Sequence, residues 1–261
     1  MFIKAFFVFL FSCGLLSATH LVVVTCSFNN EAYVQKYTES LACQTYRSWS
    51  LIYVNDCSSD RTGLLIEESV KKHGLSSKST IIHNPKRQGA MANFYKTIHK
   101  IDPEAVVVCL DGDDRLSTPR SLEIIANAYC DKKTWMTYGN YIVEPPTVKS
   151  ICKPIPEAVM KNNTFRAHLW TTSHAKTFYA KLFQKIKKED LCYKGQFVPV
   201  ASDVAFMMPM LEMASHGHIK FITDTLYVYN YQNPLNDQKK QQALVTAVEK
   251  HIRGLKPYKP L

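Results

Sequence analysis

The chain has 261 residues, of which 46% are hydrophobic and 21% charged. This is the make-up of a globular protein with room for one large α/β domain, and it excludes a disordered or fibrous chain. The net charge of +10 and a pI near 9.1 point to an anionic partner. The lysines and arginines form no long run, which excludes a nucleic-acid-binding tail and leaves phosphorylated small molecules and membrane surfaces open.

Residues 1–18 read as a leader. Lys4 precedes an almost unbroken apolar run, Ala5 to Leu16, and the small residues Ser17 and Ala18 follow. A charged start, a short apolar stretch and a small-residue exit fit a secretory signal peptide or an N-terminal membrane anchor. The expected location is then secreted, periplasmic or lumenal, or membrane-anchored, with a cytoplasmic chain as the alternative. The eight cysteines are irregularly spaced and include no C-x-x-C, so they do not form a disulfide framework.

From residue 19 the expectation is a single domain with two halves, 19–116 and 117–261. Leu21-Val22-Val23-Val24 is a β-branched run, and Ala32 to Gln44 places Val34, Tyr37 and Leu41 at helical spacing. Leu51 to Val54 is a second strand, Asp60 to His73 a helix stopped by Gly74, and Thr80 to His83 a third strand. A helix over Ala90 to Lys100 precedes a fourth strand, Ala105 to Leu110. Strands that are apolar throughout and alternate with helices indicate a mainly parallel, Rossmann-like sheet covered on both faces. Beyond residue 134 the pattern predicts a strand over Trp135 to Tyr138, a basic helix over Lys176 to Lys188 and a Met-rich helix over Ala201 to Ala214. Two late strands follow, at Phe221-Ile222 and at Leu226 to Tyr231.

In such sheets a ligand sits at the carboxyl ends of the strands, and three of the first four strands end in polar or acidic loops. Asp111-Gly112-Asp113-Asp114 follows the fourth strand. Carboxylates packed this closely repel one another, and a divalent cation with hard oxygen ligands, Mn²⁺ or Mg²⁺, removes the repulsion. A solvated acidic turn is the plain alternative. Asn55-Asp56-Cys57-Ser58-Ser59-Asp60 follows the second strand; Asp56 is placed to accept a hydrogen bond from a nucleobase, and Asp60 suits the N-terminus of the next helix. Arg87, before Gly89, is placed to pair with phosphate.

These segments together resemble family 2 glycosyltransferases. Val24-Thr25-Cys26-Ser27-Phe28-Asn29-Asn30-Glu31 looks like the family's opening I-P-T-Y-N-N-E, and Glu39-Ser40-Leu41-Ala42-Cys43-Gln44-Thr45-Tyr46 like its E-S-L-x-x-Q-T-Y. Asn55 to Asp60 is similar to D-D-G-S-x-D, Gly89-Ala90-Met91-Ala92-Asn93 to a shortened G-x-x-x-A-R-N, and Leu110 to Asp114 to L-D-x-D-D. The resemblance covers about residues 20 to 116 in family order. It departs at Cys26, where the family has proline, and at Asn55 and Cys57, where it has an acid and a glycine.

The resemblance implies a GT-A fold, a nucleoside-diphosphate sugar donor (UDP-linked), Mn²⁺ or Mg²⁺, and transfer to a glycan, lipid or protein hydroxyl. It implies that Ser27, Phe28, Glu31 and Asp56 line the nucleoside pocket, with Arg87, Asp111 and Gly112 also on the donor. Asp111 and Asp113 hold the metal. Ser202-Asp203 before an apolar helix resembles the family's acceptor-side E-D pair, so Asp203 becomes the general base, and direct displacement would invert the anomeric centre. Glu189, Asp190 and Glu212 are the rival bases. Two other classes share parts of this pattern: a GT-A-like domain that binds glycans or nucleotide sugars without turnover, and a nucleotidyltransferase. The latter usually needs a Gly- and Arg-rich loop after the first strand, and Thr25 to Glu31 has neither residue.

Overall fold

The computed structural model describes residues 18–146, 148–235, 239 and 241–261, so the leader, apart from Ala18, lies outside the described residues. Among the described residues no helix is long and apolar enough to cross a membrane, and all seven cysteines are free.

The first half folds as its pattern predicts. Strands β1 (Leu21–Ser27), β2 (Trp49–Asn55), β3 (Ser79–His83) and β4 (Val106–Cys109) alternate with helices α1 (Val34–Ala42), α2 (Thr62–Lys72) and α3 (Ala90–Ile98). β1 is parallel to both β2 and β4, and β2 to β3. Leu21 and Val23 face one core with α1 and α2, while Val22 and Val24 face the other with α3. Alternate residues point to opposite faces, and both faces are covered, which is why the run is apolar without alternation.

The second half continues the same sheet, in the order β3-β2-β1-β4-β7-β6-β10-β5. β5 (Arg115–Leu116), β6 (Met136–Glu144), β7 (Thr177–Tyr179) and β10 (Ile219–Asn230) complete it, and β8 (Cys192–Tyr193) and β9 (Gln196–Phe197) form a separate hairpin. The helices of this half are α4 (Ser121–Ala128), α5 (Glu157–Lys161), α6 (Ala180–Gln184), α7 (Ser202–Met213) and α8 (Gln242–Gly254). The sheet is mostly parallel with helices on both faces, the Rossmann-like architecture of the GT-A fold.

Two expectations change here. The basic helix over 176–188 is the strand β7 followed by the short helix α6. Thr177, Phe178 and Tyr179 are buried and pair antiparallel with β4 on one side and β6 on the other. A slot in the middle of the sheet outweighs the local helical pattern. The two late strands are one, β10, which runs parallel to β6 through register shifts around Thr225. Such irregularities break the apolar alternation from which a strand is read.

Helix α7 is buried from Val204 to Met213, so it is apolar around its circumference. Its one charged residue inside that stretch, Glu212, accepts from Arg166 Nε at 2.5 Å and Nη2 at 2.9 Å, and from the Tyr258 backbone N–H at 2.9 Å. Asp190 accepts from the Tyr258 hydroxyl at 2.6 Å. Of the rival bases, Glu212 and Asp190 are thus spent on anchoring the C-terminal tail. Glu212→Gln leaves the buried Arg166 guanidinium without its counter-charge and is expected to destabilise the fold by about 3–5 kcal/mol, read as a lowered urea midpoint.

Candidate active site

A cleft of about 560 Å³ opens at the carboxyl ends of β1 and β4 and is walled on the far side by β10, α7 and α8. Phe28, Arg87, Asp111, Asp113 and Asp203, predicted from residues far apart in sequence, all line it.

On the donor side, Arg87 lies over the Phe28 ring at 3.7 Å, an arrangement that holds a cation at the cleft wall. Asp56 sets it there from behind. Its carboxylate accepts from Asn84 Nδ2 at 2.7 Å and from the backbone N–H groups of Gln88 and Gly89 at 2.9 and 2.8 Å. Burial alone would raise its pKa, but hydrogen bonds from Asn93, Asn84, Gln88 and Gly89 outweigh that and hold it below the ordinary carboxylate value. Gly89 follows with φ of 86°, a conformation that glycine adopts without strain, and α3 starts there.

Ser27, Glu31, Asp56 and Gly112 are not part of the described lining. Ser27 is buried and accepts from Asn30 Nδ2 at 3.0 Å. A side chain on Gly112 would lie 2.5 Å from Ser27 Oγ, so these two residues let the acidic loop pack against the end of β1. Glu31 is exposed, and its carboxylate accepts from the Arg61 N–H at 2.8 Å, while Asp60 accepts from the Glu31 N–H at 3.1 Å and the Thr62 N–H at 2.9 Å. These contacts hold the start of α2. Cys57, where the resemblance leads one to expect glycine, has φ of 61°, the left-handed conformation that accounts for a glycine there.

At the cleft floor the three acids separate. Asp114 is buried and accepts from the Tyr227 hydroxyl at 2.6 Å and the Asn230 N–H at 2.7 Å. Burial first, then the charges of Asp113 and Asp111, push its pKa well above the usual carboxylate range. Asp113 accepts from Asn233 Nδ2 at 2.6 Å. The carboxylates of Asp111 and Asp114 and an imidazole nitrogen of His174 lie within 4.8 Å of one another. This set differs from the Asp111–Asp113 pair expected of the motif: His174 enters it and Asp113 faces Asn233. His174 stacks on Tyr227 at 4.4 Å and Tyr229 at 5.1 Å, and burial followed by the Lys176 charge lowers its pKa well below the usual value. A neutral imidazole with two carboxylates fits a divalent cation such as Mn²⁺.

Lys176 joins this cluster to Asp203 on the opposite wall. Its Nζ lies 3.3 Å from His174 Nδ1 and 4.0 Å from Asp203 Oδ2. Burial would lower its pKa, but the surrounding carboxylates, Asp111 and Asp203 foremost, outweigh that and raise it. It is a buried ammonium. Asp203 stands in the first turn of α7, one-third exposed, and accepts from the Val204 N–H at 2.9 Å. The helix has no side-chain cap, so Asp203 is not the N-cap that its position allows. Glu249, from α8, lines the same wall, and burial followed by the Asp203 charge raises its pKa.

The run His174-Ala175-Lys176-Thr177-Phe178 falls in sequence where acceptor-side or phosphate contacts are expected, whereas Glu249 stands in no motif, and the tertiary fold brings them together here.

The model for glycosyl transferase family 2 matches residues 22–208. The chain belongs to this family. Among solved structures this family 2 chain resembles S. aureus TarS 1-349 in complex with UDP-GlcNAc, with 19% identity and a TM-score of 0.61. That match covers 82% of this chain and 59% of TarS 1-349, so the chain spans less than two-thirds of that relative. Glucosyl-3-phosphoglycerate synthase from Mycobacterium tuberculosis, with Mn²⁺, UDP and glucosyl-3-phosphoglycerate, is 13% identical with a TM-score of 0.62, over 91% of this chain and 81% of that one. The mannosyltransferase PcManGT from Pyrobaculum calidifontis, with GDP-Man and Mn²⁺, is 17% identical with a TM-score of 0.57, over 92% and 66%. No curated protein matches. At these identities the structural likeness establishes the GT-A fold of this family 2 chain.

Proposed function

We propose that the chain is an inverting, metal-dependent glycosyltransferase that moves a sugar from a UDP-linked donor to an acceptor hydroxyl. The observation that carries this reading is one cleft with a metal-type cluster on one side, Asp203 on the other and the Lys176 ammonium between them. Bound at Asp111, Asp114 and His174, a divalent cation such as Mn²⁺ would neutralise charge on the departing nucleoside diphosphate. Lys176 and Arg87 add fixed positive charge on the same path. Asp203 takes the proton of the incoming hydroxyl, whose oxygen attacks the anomeric carbon as the bond to the diphosphate oxygen breaks. Attack opposite the leaving group inverts the configuration. The complexes of TarS 1-349 with UDP-GlcNAc and of glucosyl-3-phosphoglycerate synthase with UDP support the uridine choice.

Residues 1–18 are proposed to direct the protein out of the cytoplasm or to anchor it in a membrane, and the acceptor is then a glycan, lipid or protein on that side. The test is nucleotide release from a panel of UDP- and GDP-sugars with Mn²⁺, with Mg²⁺ and with chelator. A UDP-sugar turned over only with metal is the expected result, and turnover undiminished by chelator would overturn the metal-dependent reading.

A further inference from the structure

The mouth of the cleft carries apolar side chains that nothing in the described residues covers. Val148, Ile151 and Leu169 are 56%, 46% and 82% exposed, and all three belong to two segments lying side by side, joined by the Lys153 N–H donating to Thr171 O at 3.4 Å. Val148, Ile151 and Trp170 line the cleft, and the exposed Leu169 adjoins Trp170 in the chain. Single exposed apolar residues are ordinary on a protein surface, but several gathered at the mouth of one site mark an interaction face.

Charge distinguishes the occupant. Over residues 148–170 the exposed ionisable side chains are Lys149, Lys153, Lys161 and Glu157; the one arginine, Arg166, is buried against Glu212. Aliphatic side chains and an indole interleaved with lysines are the composition that settles into the headgroup region of an anionic bilayer, the apolar groups entering and the lysines meeting lipid phosphate. A protein partner would need a complementary acidic and apolar face, whereas a bilayer offers both chemistries over any area.

We infer that the Val148–Lys153 and Leu169–Trp170 rim docks the protein on an anionic lipid surface with the cleft opening toward it, so that an acceptor reaches Asp203 from the bilayer. This contact is separate from the N-terminal segment and needs no turnover to be observed, so its failure is distinguishable from failure of the transferase reading.

The experiment is co-sedimentation of the full chain with vesicles of phosphatidylcholine alone and of phosphatidylcholine mixed with phosphatidylglycerol. Stronger partition onto the anionic vesicles, weakened by added salt, is expected. Lys149→Gln with Lys153→Gln should reduce it by roughly tenfold or more, as two lysines near the surface are lost. Ile151→Asp with Leu169→Asp should reduce partition onto both vesicle types. Leu64→Asp with Ile82→Asp, exposed apolar sites on α2 and β3, should change nothing, and thermal melts of all variants check folding. Absence of wild-type partition, rim variants that sediment as wild type, or a control that falls as far as they do, would each overturn the inference.

Discussion

Asp203→Asn is expected to leave folding and donor binding near wild type while transfer falls by about 10²–10⁴-fold, the usual contribution of general-base assistance. The amide keeps the shape of the carboxylate and its acceptor oxygen, so the hydrogen bond from the Val204 N–H survives. It cannot take the acceptor's proton. The side chain is one-third exposed and supplies no cap, so no large stability change follows from its loss. Donor affinity should hold because Phe28 and Arg87 come from the opposite wall. Steady-state kinetics with the donor found in the panel, beside a melting curve, make the comparison. Near-wild-type turnover would remove Asp203 from the chemistry, and a matching loss in Glu249→Gln would move the role to the neighbouring carboxylate on α8.

Asp111→Asn is expected to lower transfer by about 10²–10³-fold, since metal stabilisation of a leaving group contributes several kcal/mol and each 1.4 kcal/mol is about tenfold. Weaker Mn²⁺ binding in the presence of UDP, followed by electron paramagnetic resonance, should accompany the loss. That second readout separates a ligand from a residue that only shapes the cleft. Asp113→Asn tests the motif position that the fold turns toward Asn233. A loss of Mn²⁺ affinity as large as that of Asp111→Asn would make Asp113 a ligand, and retained affinity would leave the set as Asp111, Asp114 and His174. Unchanged metal binding in Asp111→Asn would sink the assignment of this cluster.

The sequence alone determined the donor-side half. β1 to β4 are local runs whose burial on both faces is written in their composition, and the acidic and polar loops at their ends must fall on one edge of a parallel sheet. Asp111 and Arg87 were legible for that reason. Asp203 was legible through the resemblance of Ser202-Asp203 to the family's acceptor-side E-D pair before a helix, with a helix cap as the plain alternative. Asp56 and Glu31 were legible through the resemblance; their carboxylates hold neighbouring backbone through loop contacts that period and propensity do not describe.

Tertiary structure decided the acceptor side. Lys176 and His174 reach the cleft only because Thr177 to Tyr179 slot antiparallel between β4 and β6. That choice is made by pairing partners far away in the chain, against a local pattern that reads as helix. Tyr227, Asn230 and Asn233 support the acidic loop because β10 runs beside it at a separation of more than 100 residues. Which carboxylate faces the metal-type cluster, and which is held by a neighbouring amide, follows from these long-range hydrogen bonds, since a three-acid motif gives each member the same local chemistry.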